Sequence, residues 1–305
     1  MADTDVVRRF NRTYTQRIGA LDESFLGLGL PLGLARLVFE VGTSPDGVTA
    51  LGLRSRLGLD SGHLARQLRS LEERGLVDVR PDPADRRRRV VALTRSGWAL
   101  RDRLDARSER LAARLVEPLT ERQRARLTEA LATADLLVRA ATVDIRTVDP
   151  TEPAAVEAMD SYFAELDRRF PDGFDPGPAE VGDMVAATGG AFVLATSDGG
   201  SVACGGIRSL GPEVGEIKRM WVHDEWRGAG LGSRLLRHLE ATARDLGHRT
   251  VRLDTNRTLT EAIAMYDRAG YRPIERYNDN PYAQAFFEKA LDCEVPEGGD
   301  KVRRP

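Results

Sequence analysis

The chain has 305 residues, 41% hydrophobic and 30% charged, with a formal net charge of −2. That is room for two ordinary domains, with the composition of a soluble globular protein. No apolar run approaches the ~20 residues that a membrane span needs, and the start, MADTDVVRRF, lacks the apolar core of a signal peptide. Cys204 and Cys293 are the only cysteines, at no metal-ligand spacing. They argue against a disulfide framework and a metal site, and for a reducing, cytoplasmic compartment. The net charge hides an asymmetry. Residues 1–145 carry 25 Arg and no Lys against 20 acidic residues, a net +5, and the remainder is net −7. A positive half beside a negative one hints that the first half meets a polyanion.

Residues 4–20 read as helical. Val48 to Val79 then reads as helix, turn, helix, strand. Ala50, Leu53 and Leu57 share one face of a short helix, and Gly58-Leu59-Asp60 makes a tight turn. Asp60 or Ser61 caps a second helix that runs to about Arg74 and stops at Gly75. Its apolar stripe is Leu64, Leu68 and Leu71, with Gly62, His63, Arg66, Arg69 and Ser70 opposite. Strands at Leu76–Arg80 and Arg89–Leu93 flank a tip that holds Arg86, Arg87 and Arg88, with Asp85 expected to pair with Arg87. Arginine suits phosphate forks and narrow minor grooves. A solvated helix face, an Arg69–Glu73 pair and a solvated arginine loop are the plainer readings of the same residues. Thr94 caps a helix to about Val116, where Pro118 breaks it. Thr120-Glu121-Arg122-Gln123 fits a capping box for another, to about Ala141, with Leu127, Leu131, Leu137 and Val138 as candidate inward residues.

This stretch resembles the MarR family of winged helix-turn-helix regulators. The resemblance rests on Leu57-Gly58-Leu59-Asp60, on Leu71-Glu72-Glu73-Arg74-Gly75-Leu76-Val77, and on Asp85-Arg86-Arg87 followed by Val91-Ala92-Leu93-Thr94. It implies a mainly α domain over 1–142 that binds double-stranded DNA as a homodimer on an inverted repeat. Ser61, His63, Arg66 and Arg69 would then contact the major groove, and Arg86, Arg87 and Arg88 would form the wing. The long flanking helices would meet a second subunit.

From Val143 the texture changes. Val143–Val148 reads as a strand, and Thr151 caps a helix with Pro153 near its start, reaching about Arg169. A shorter helix is expected near 178–188. Strands follow at Ala191–Thr196, Ser201–Ser209 and Val214–His223, the first pair joined by Asp198-Gly199-Gly200. The most informative stretch is Glu216 to Gly232. There a strand leads into a glycine-rich turn and then a helix striped by Leu231, Leu235, Leu236 and Leu239. Backbone N–H groups freed by glycine at a helix N-terminus make a pyrophosphate site. Gly228, Gly230 and Gly232 form G-x-G-x-G, not the G-x-G-x-x-G of a dinucleotide site, and no Lys-Ser/Thr follows as in a Walker loop.

The segment resembles the GNAT acetyltransferases, whose pyrophosphate loop is matched by Arg227, Gly230 and Gly232. A second match is strand Thr250–Thr255 followed by Ala262 to Tyr271, a Tyr, three residues, Gly, aromatic pattern. The resemblance implies an α/β GNAT fold with a mixed central sheet over 143–292. Residues 293–305 are then expected to be a disordered tail. Acetyl-CoA is the implied co-substrate. It would be held by Met220, Trp221, Val222, Arg227, Gly228, Ala229, Gly230, Leu231 and Gly232, and by Asn256. Asn256 departs from the usual spacing, standing five residues before Ala262. No metal is implied.

Acyl transfer needs the amine deprotonated and the thiolate protonated. By alternation Glu216, Lys218 and Met220 share a face, and Glu216 is the candidate base, beside the plainer reading of a Glu216–Lys218 surface pair. Tyr266 is the candidate acid, or else a packing aromatic. Glu165, Asp167 and Asp175 are positioned to attract a cationic amine. Trp221, Trp226 and Tyr282 are expected to line a pocket, and Phe286 and Phe287 to lie in the core. The expectation is a bifunctional transcriptional regulator and N-acetyltransferase that acts on a primary amine. The alternative is a regulator whose second half senses acetyl-CoA without turnover, or an enzyme that uses its first half only to dimerise.

Overall fold

A computed structural model describes residues 3–82, 85–171, 173–175, 177, 181–197 and 199–291. The expected tail 293–305, the tip residues Pro83 and Ala84, and Asp198 of the expected turn lie outside the described residues. The chain divides into two compact units, 1–131 and 132–305.

In the first unit the helices are α1 (Asp3–Arg17), α2 (Leu32–Val41), α3 (Ala50–Leu57), α4 (Ser61–Glu73) and α5 (Arg95–Val116). The strands are β1 (Val48–Thr49), β2 (Val77–Pro81) and β3 (Arg89–Leu93), in the order β1-β3-β2. The Asp60 carboxylate accepts from the His63 N–H at 2.8 Å and starts α4. That bond holds the exposed Asp60 carboxyl below its usual range. Gly75, at φ 67°, ends it. Leu64, Leu68 and Leu71 are buried against Leu34, Leu37, Val38 and Val41 of α2 and Leu53 of α3. Thr94 caps α5 through the Gly97 N–H.

The Thr120–Gln123 box forms in both directions and opens α6 (Glu121–Thr142). The division between units falls inside this helix. Leu127 is half-buried, but Leu131, Leu137 and Val138, expected inward, are exposed in a single chain. At the wing, Asp85 accepts from the Arg87 backbone N–H, and its side-chain ion pair is with Arg88 rather than Arg87.

The second unit is one seven-stranded mixed sheet. Its strands are β4 (Asp144–Val148), β5 (Ala191–Ser197), β6 (Gly200–Gly211), β7 (Val214–Val222), β8 (Thr250–Thr255), β9 (Arg272–Pro273) and β10 (Ala285–Ala290). They lie in the order β4-β5-β6-β7-β8-β10-β9, and only β7 and β8 pair parallel. One face packs on α8 (Leu231–Asp245) and α9 (Thr260–Arg268) through Val193, Ile207, Ile217, Val251, Leu253, Leu235 and Leu239. The other packs on α7 (Pro153–Arg169) through Phe192, Leu194, Cys204, Trp221, Ala155 and Met159.

Thr151 does not cap α7. Its backbone N–H and hydroxyl both donate to Asp149, and Glu152 holds the cap position. In place of one helix at 178–188, the described residues form short 3-10 turns at Val181–Met184 and Ala186–Thr188. Phe286 and Phe287 are buried as expected. Among the described residues no helix is long and apolar enough to cross a membrane.

Candidate active site

The site begins where the sheet opens. β7 and β8 are paired at Val214–Thr250, Gly215–Val251 and Glu216–Arg252, and beyond Glu216 they part. On its other edge β7 carries one extra residue opposite Cys204–Gly206, and Arg219 there takes φ 53°. This bulge breaks the two-residue alternation. Lys218 and Arg219 both turn to the α7 side, where the Arg219 guanidinium lies 5.4 Å over the Phe163 ring. Met220 turns to the α8 side and packs on that core. Met220 therefore does not share a face with Glu216 and Lys218, because simple alternation fails at the bulge.

A cavity of about 500 Å3 lies on one side of the opening. Met220, Trp221, Val222, Arg227, Gly228, Gly230, Leu231 and Gly232 line it, so the structure brings together most of the residues expected to hold the co-substrate. Gly228 and Gly230 have φ 82° and 77°, and Gly230 stands at the N-terminus of α8. At Gly232 a Cβ would stand 3.2 Å from Met265 Sδ, so bare backbone lets α9 come close. Ala229 turns away and packs on the core. Asn256 is not on this side. Its amide donates to the Tyr282 carbonyl, its oxygen accepts from Thr258, and it lines a second cavity.

Glu165 also lines the first cavity. Burial opposes its ionisation, but bonds from Arg227 and Trp221 outweigh that and hold its pKa below the usual range. Arg169 bridges it to Glu261.

The second cavity, about 430 Å3, lies on the α7 side of the opening. Tyr162, Leu166, Met220, Leu259, Ala262 and Tyr266 line both cavities. Tyr266 is buried, and burial with the nearby Asp254 charge raises its pKa far above the usual phenol value, so it holds its proton at neutral pH. Tyr162 is raised in the same way. Cys204 is buried, its thiol pushed up to about 12, and it offers no thiolate.

Glu216 lines neither cavity. It is fully buried, and its carboxylate accepts from Arg208 Nε, from Tyr277 OH at 2.9 Å and from Asn278 Nδ2 at 3.1 Å. Lys218 Nζ stands 3.7 Å away. Such a carboxylate anchors the strand and is not presented to an amine, which corrects its expected place as the base.

Two acids line the second cavity, Asp175, which the sequence offers, and Asp254 on β8, which the sequence reading missed. Alternation along Thr250–Thr255 buries Val251 and Leu253 and sends Arg252 and Asp254 to the other face. Burial raises the Asp254 pKa, and the Glu216 charge adds to this. Bonds from Asn278 and Asn280 and the charge of Lys218 work against it. Among the described residues no group of three or more His, Cys, Asp or Glu is placed to hold a metal.

In the first unit, Ser61, Arg66 and Arg69 are exposed along α4, opposite its buried leucines, and His63 is half-buried. Arg86, Arg87 and Arg88 are exposed at the wing.

A sheet that opens beside a helix-borne anion site, with a protonated phenol in the gap, is an arrangement for acyl transfer from a thioester. The chain belongs to the acetyltransferase (GNAT) family, which its residues 155–271 match, and its residues 28–88 match the MarR family. The IAA acetyltransferase of Azospirillum brasilense is 32% identical over 159 residues, 49% of this chain and 98% of that protein. The uncharacterized N-acetyltransferase YjgM of Escherichia coli (strain K12) is 30% identical over 149 residues, 47% of this chain and 85% of that protein. A MarR-family transcriptional regulator from Rhodococcus sp. RHA1 is 26% identical, covering 44% of this chain and 95% of that one, with a TM-score of 0.37. The GNAT fold takes acetyl-CoA as co-substrate. Here the amides around Gly228–Gly232 and the first cavity fit its diphosphate and pantetheine arm.

Proposed function

We propose that the second unit transfers an acetyl group from acetyl-CoA to a primary amine, while the first unit binds double-stranded DNA as a homodimer. The observation that carries the transfer is the opening between β7 and β8, where Tyr266 lines both cavities and Asp254 lines one. The amine nitrogen attacks the thioester carbonyl, the C–N bond forms and the C–S bond breaks. Asp254 takes the proton from the amine, and the Tyr266 phenol donates one to the departing sulfur. Freed backbone N–H groups of β7 polarise the carbonyl.

DNA contact by Ser61, His63, Arg66, Arg69 and Arg86–Arg88 is supported by their place on the open side of α4 and on the wing. Dimerisation is supported by apolar side chains that α1 leaves exposed: Val6, Val7, Phe10 and Tyr14.

The test is thiol release from acetyl-CoA by the full chain across a panel of amines. Tyr266→Phe should lower kcat by about 10²-fold or more with acetyl-CoA affinity retained. If acetyl-CoA binds but no amine speeds thiol release, the transferase reading falls. Sensing then remains, read as a change in DNA affinity on adding acetyl-CoA.

A further inference from the structure

The second cavity also says what kind of amine it takes, and this rests on the transferase reading above. We infer that the acceptor is an α-amino acid with an aromatic side chain, its ammonium set on Asp254 and its carboxylate drawn to Lys218. Asp254 sits on β8 and Lys218 on β7, on facing edges of the opening, and both line the cavity. They are close enough for the Lys218 charge to act on the Asp254 carboxyl. A negative group beside a positive one is the complement of a molecule whose own ammonium and carboxylate are one carbon apart.

Lys218 is ion-paired with Glu216 at a distance longer than a hydrogen bond, so its N–H groups are not spent on that carboxylate. The Glu216 carboxylate 3.7 Å away already accepts from Arg208, Tyr277 and Asn278. Arg219, in the same lining, adds a second positive charge.

The rest of the lining takes the side chain. Phe163, Phe170, Phe174 and Tyr282 form a continuous aromatic wall, with ring centroids 5.9 Å apart for Phe163–Phe174, 5.8 Å for Phe170–Tyr282 and 4.7 Å for Phe174–Tyr282. Offset or edge packing against such a wall favours a flat ring over a flexible chain. A polyamine or a multiply charged amine sugar would set a second ammonium beside Lys218 and Arg219, at a cost in like-charge repulsion. Asp175, in the same lining, keeps its charge while accepting from the Gly177 N–H and reduces that cost, so the discrimination rests on the carboxylate that an amino acid brings to Lys218 and a polyamine lacks.

The experiment uses the full chain with acetyl-CoA and pairs of acceptors: phenylalanine with phenethylamine, tryptophan with tryptamine, and spermidine and lysine as cationic controls. The expected result is a kcat/KM about tenfold or more higher for each amino acid than for its decarboxylated partner, with spermidine poorest. Lys218→Met should raise KM for phenylalanine much more than for phenethylamine. Rapid turnover of spermidine, or equal turnover within each pair, overturns the inference while the transferase reading stands. If nothing is acetylated, calorimetric titration of the CoA-loaded chain with phenylalanine separates the two. Binding that weakens in Lys218→Met upholds the acceptor class and sinks the chemistry, and absence of binding sinks both.

Discussion

Replacing Glu216 by Gln separates an anchor from a catalytic base. The carboxylate is fully buried, with Arg208, Tyr277 and Asn278 donating to it and Lys218 alongside. Gln keeps the volume and loses the charge. It turns a charge-assisted bond from Arg208, worth ~1.5–3 kcal/mol, into an ordinary one and sets an NH2 group among donors. Breaking a buried pair costs about 3–5 kcal/mol. Arg208 and Lys218 keep 23% and 30% side-chain exposure, so water softens the loss toward about 3 kcal/mol. In a unit of this size each kcal/mol moves the melting temperature by about 2–4 °C, so calorimetry should show the second unit melting roughly 6–12 °C lower.

The second readout is pH. The Glu216 charge raises the Asp254 pKa, so removing it eases Asp254 ionisation. The acidic limb of kcat/KM then moves to lower pH, while activity at neutral pH survives. A Glu216→Gln protein with an unchanged melting temperature and activity lost across the whole pH range would refute this reasoning and return the base to Glu216.

Asp254→Asn should abolish that acidic limb and lower kcat by about 10²-fold or more, measured as thiol release against pH. In the wild type the base is competent only above its folded pKa, which burial raises, so activity falls as pH drops through a range above that of an ordinary carboxylate. Gly230→Ala forces φ 77° on a residue with a Cβ and should cost about 1–2 kcal/mol of stability, together with weaker acetyl-CoA binding by titration calorimetry. Arg86→Ala combined with Arg87→Ala should weaken DNA binding and reduce the slope of log affinity against log salt by about 2, read by fluorescence anisotropy across a salt series.

Where local signals agree, the structure follows the sequence closely. Asp60, the stripe Leu64–Leu68–Leu71 and Gly75 each point to one helix, and α4 starts and stops where they say. The turn at Gly228–Gly232 is equally legible, because glycine before an apolar stripe has few other uses. Elements defined by distant partners are harder. α2, Leu32 to Val41, is apolar except for Arg36 and Glu40, whose i, i+4 spacing marks one helical face, but it has no capping side chain to announce where it starts.

The bulge at Arg219 leaves no mark in composition, yet it decides which face Met220 takes. Asp254 could be placed on the site face by alternation. Its hydrogen-bond partners, Asn278 and Asn280, come from a loop 24 and 26 residues away, which no local pattern announces. Tyr162 shares the inward face of α7 with Ala158 and Leu166, so periodicity alone offers it as a candidate.

The tight fit of Gly232 against Met265 reaches into the chemistry, since Met265 is the residue just before Tyr266. A methyl group grafted there would press on the Met265 thioether, which must give by a few tenths of an ångström, and the strain would fall on the turn of α9 that carries the phenol. A lesion in the part that grips the coenzyme would then be felt as a slow proton delivery, and the turnover number would suffer beyond any change in how firmly the coenzyme is held.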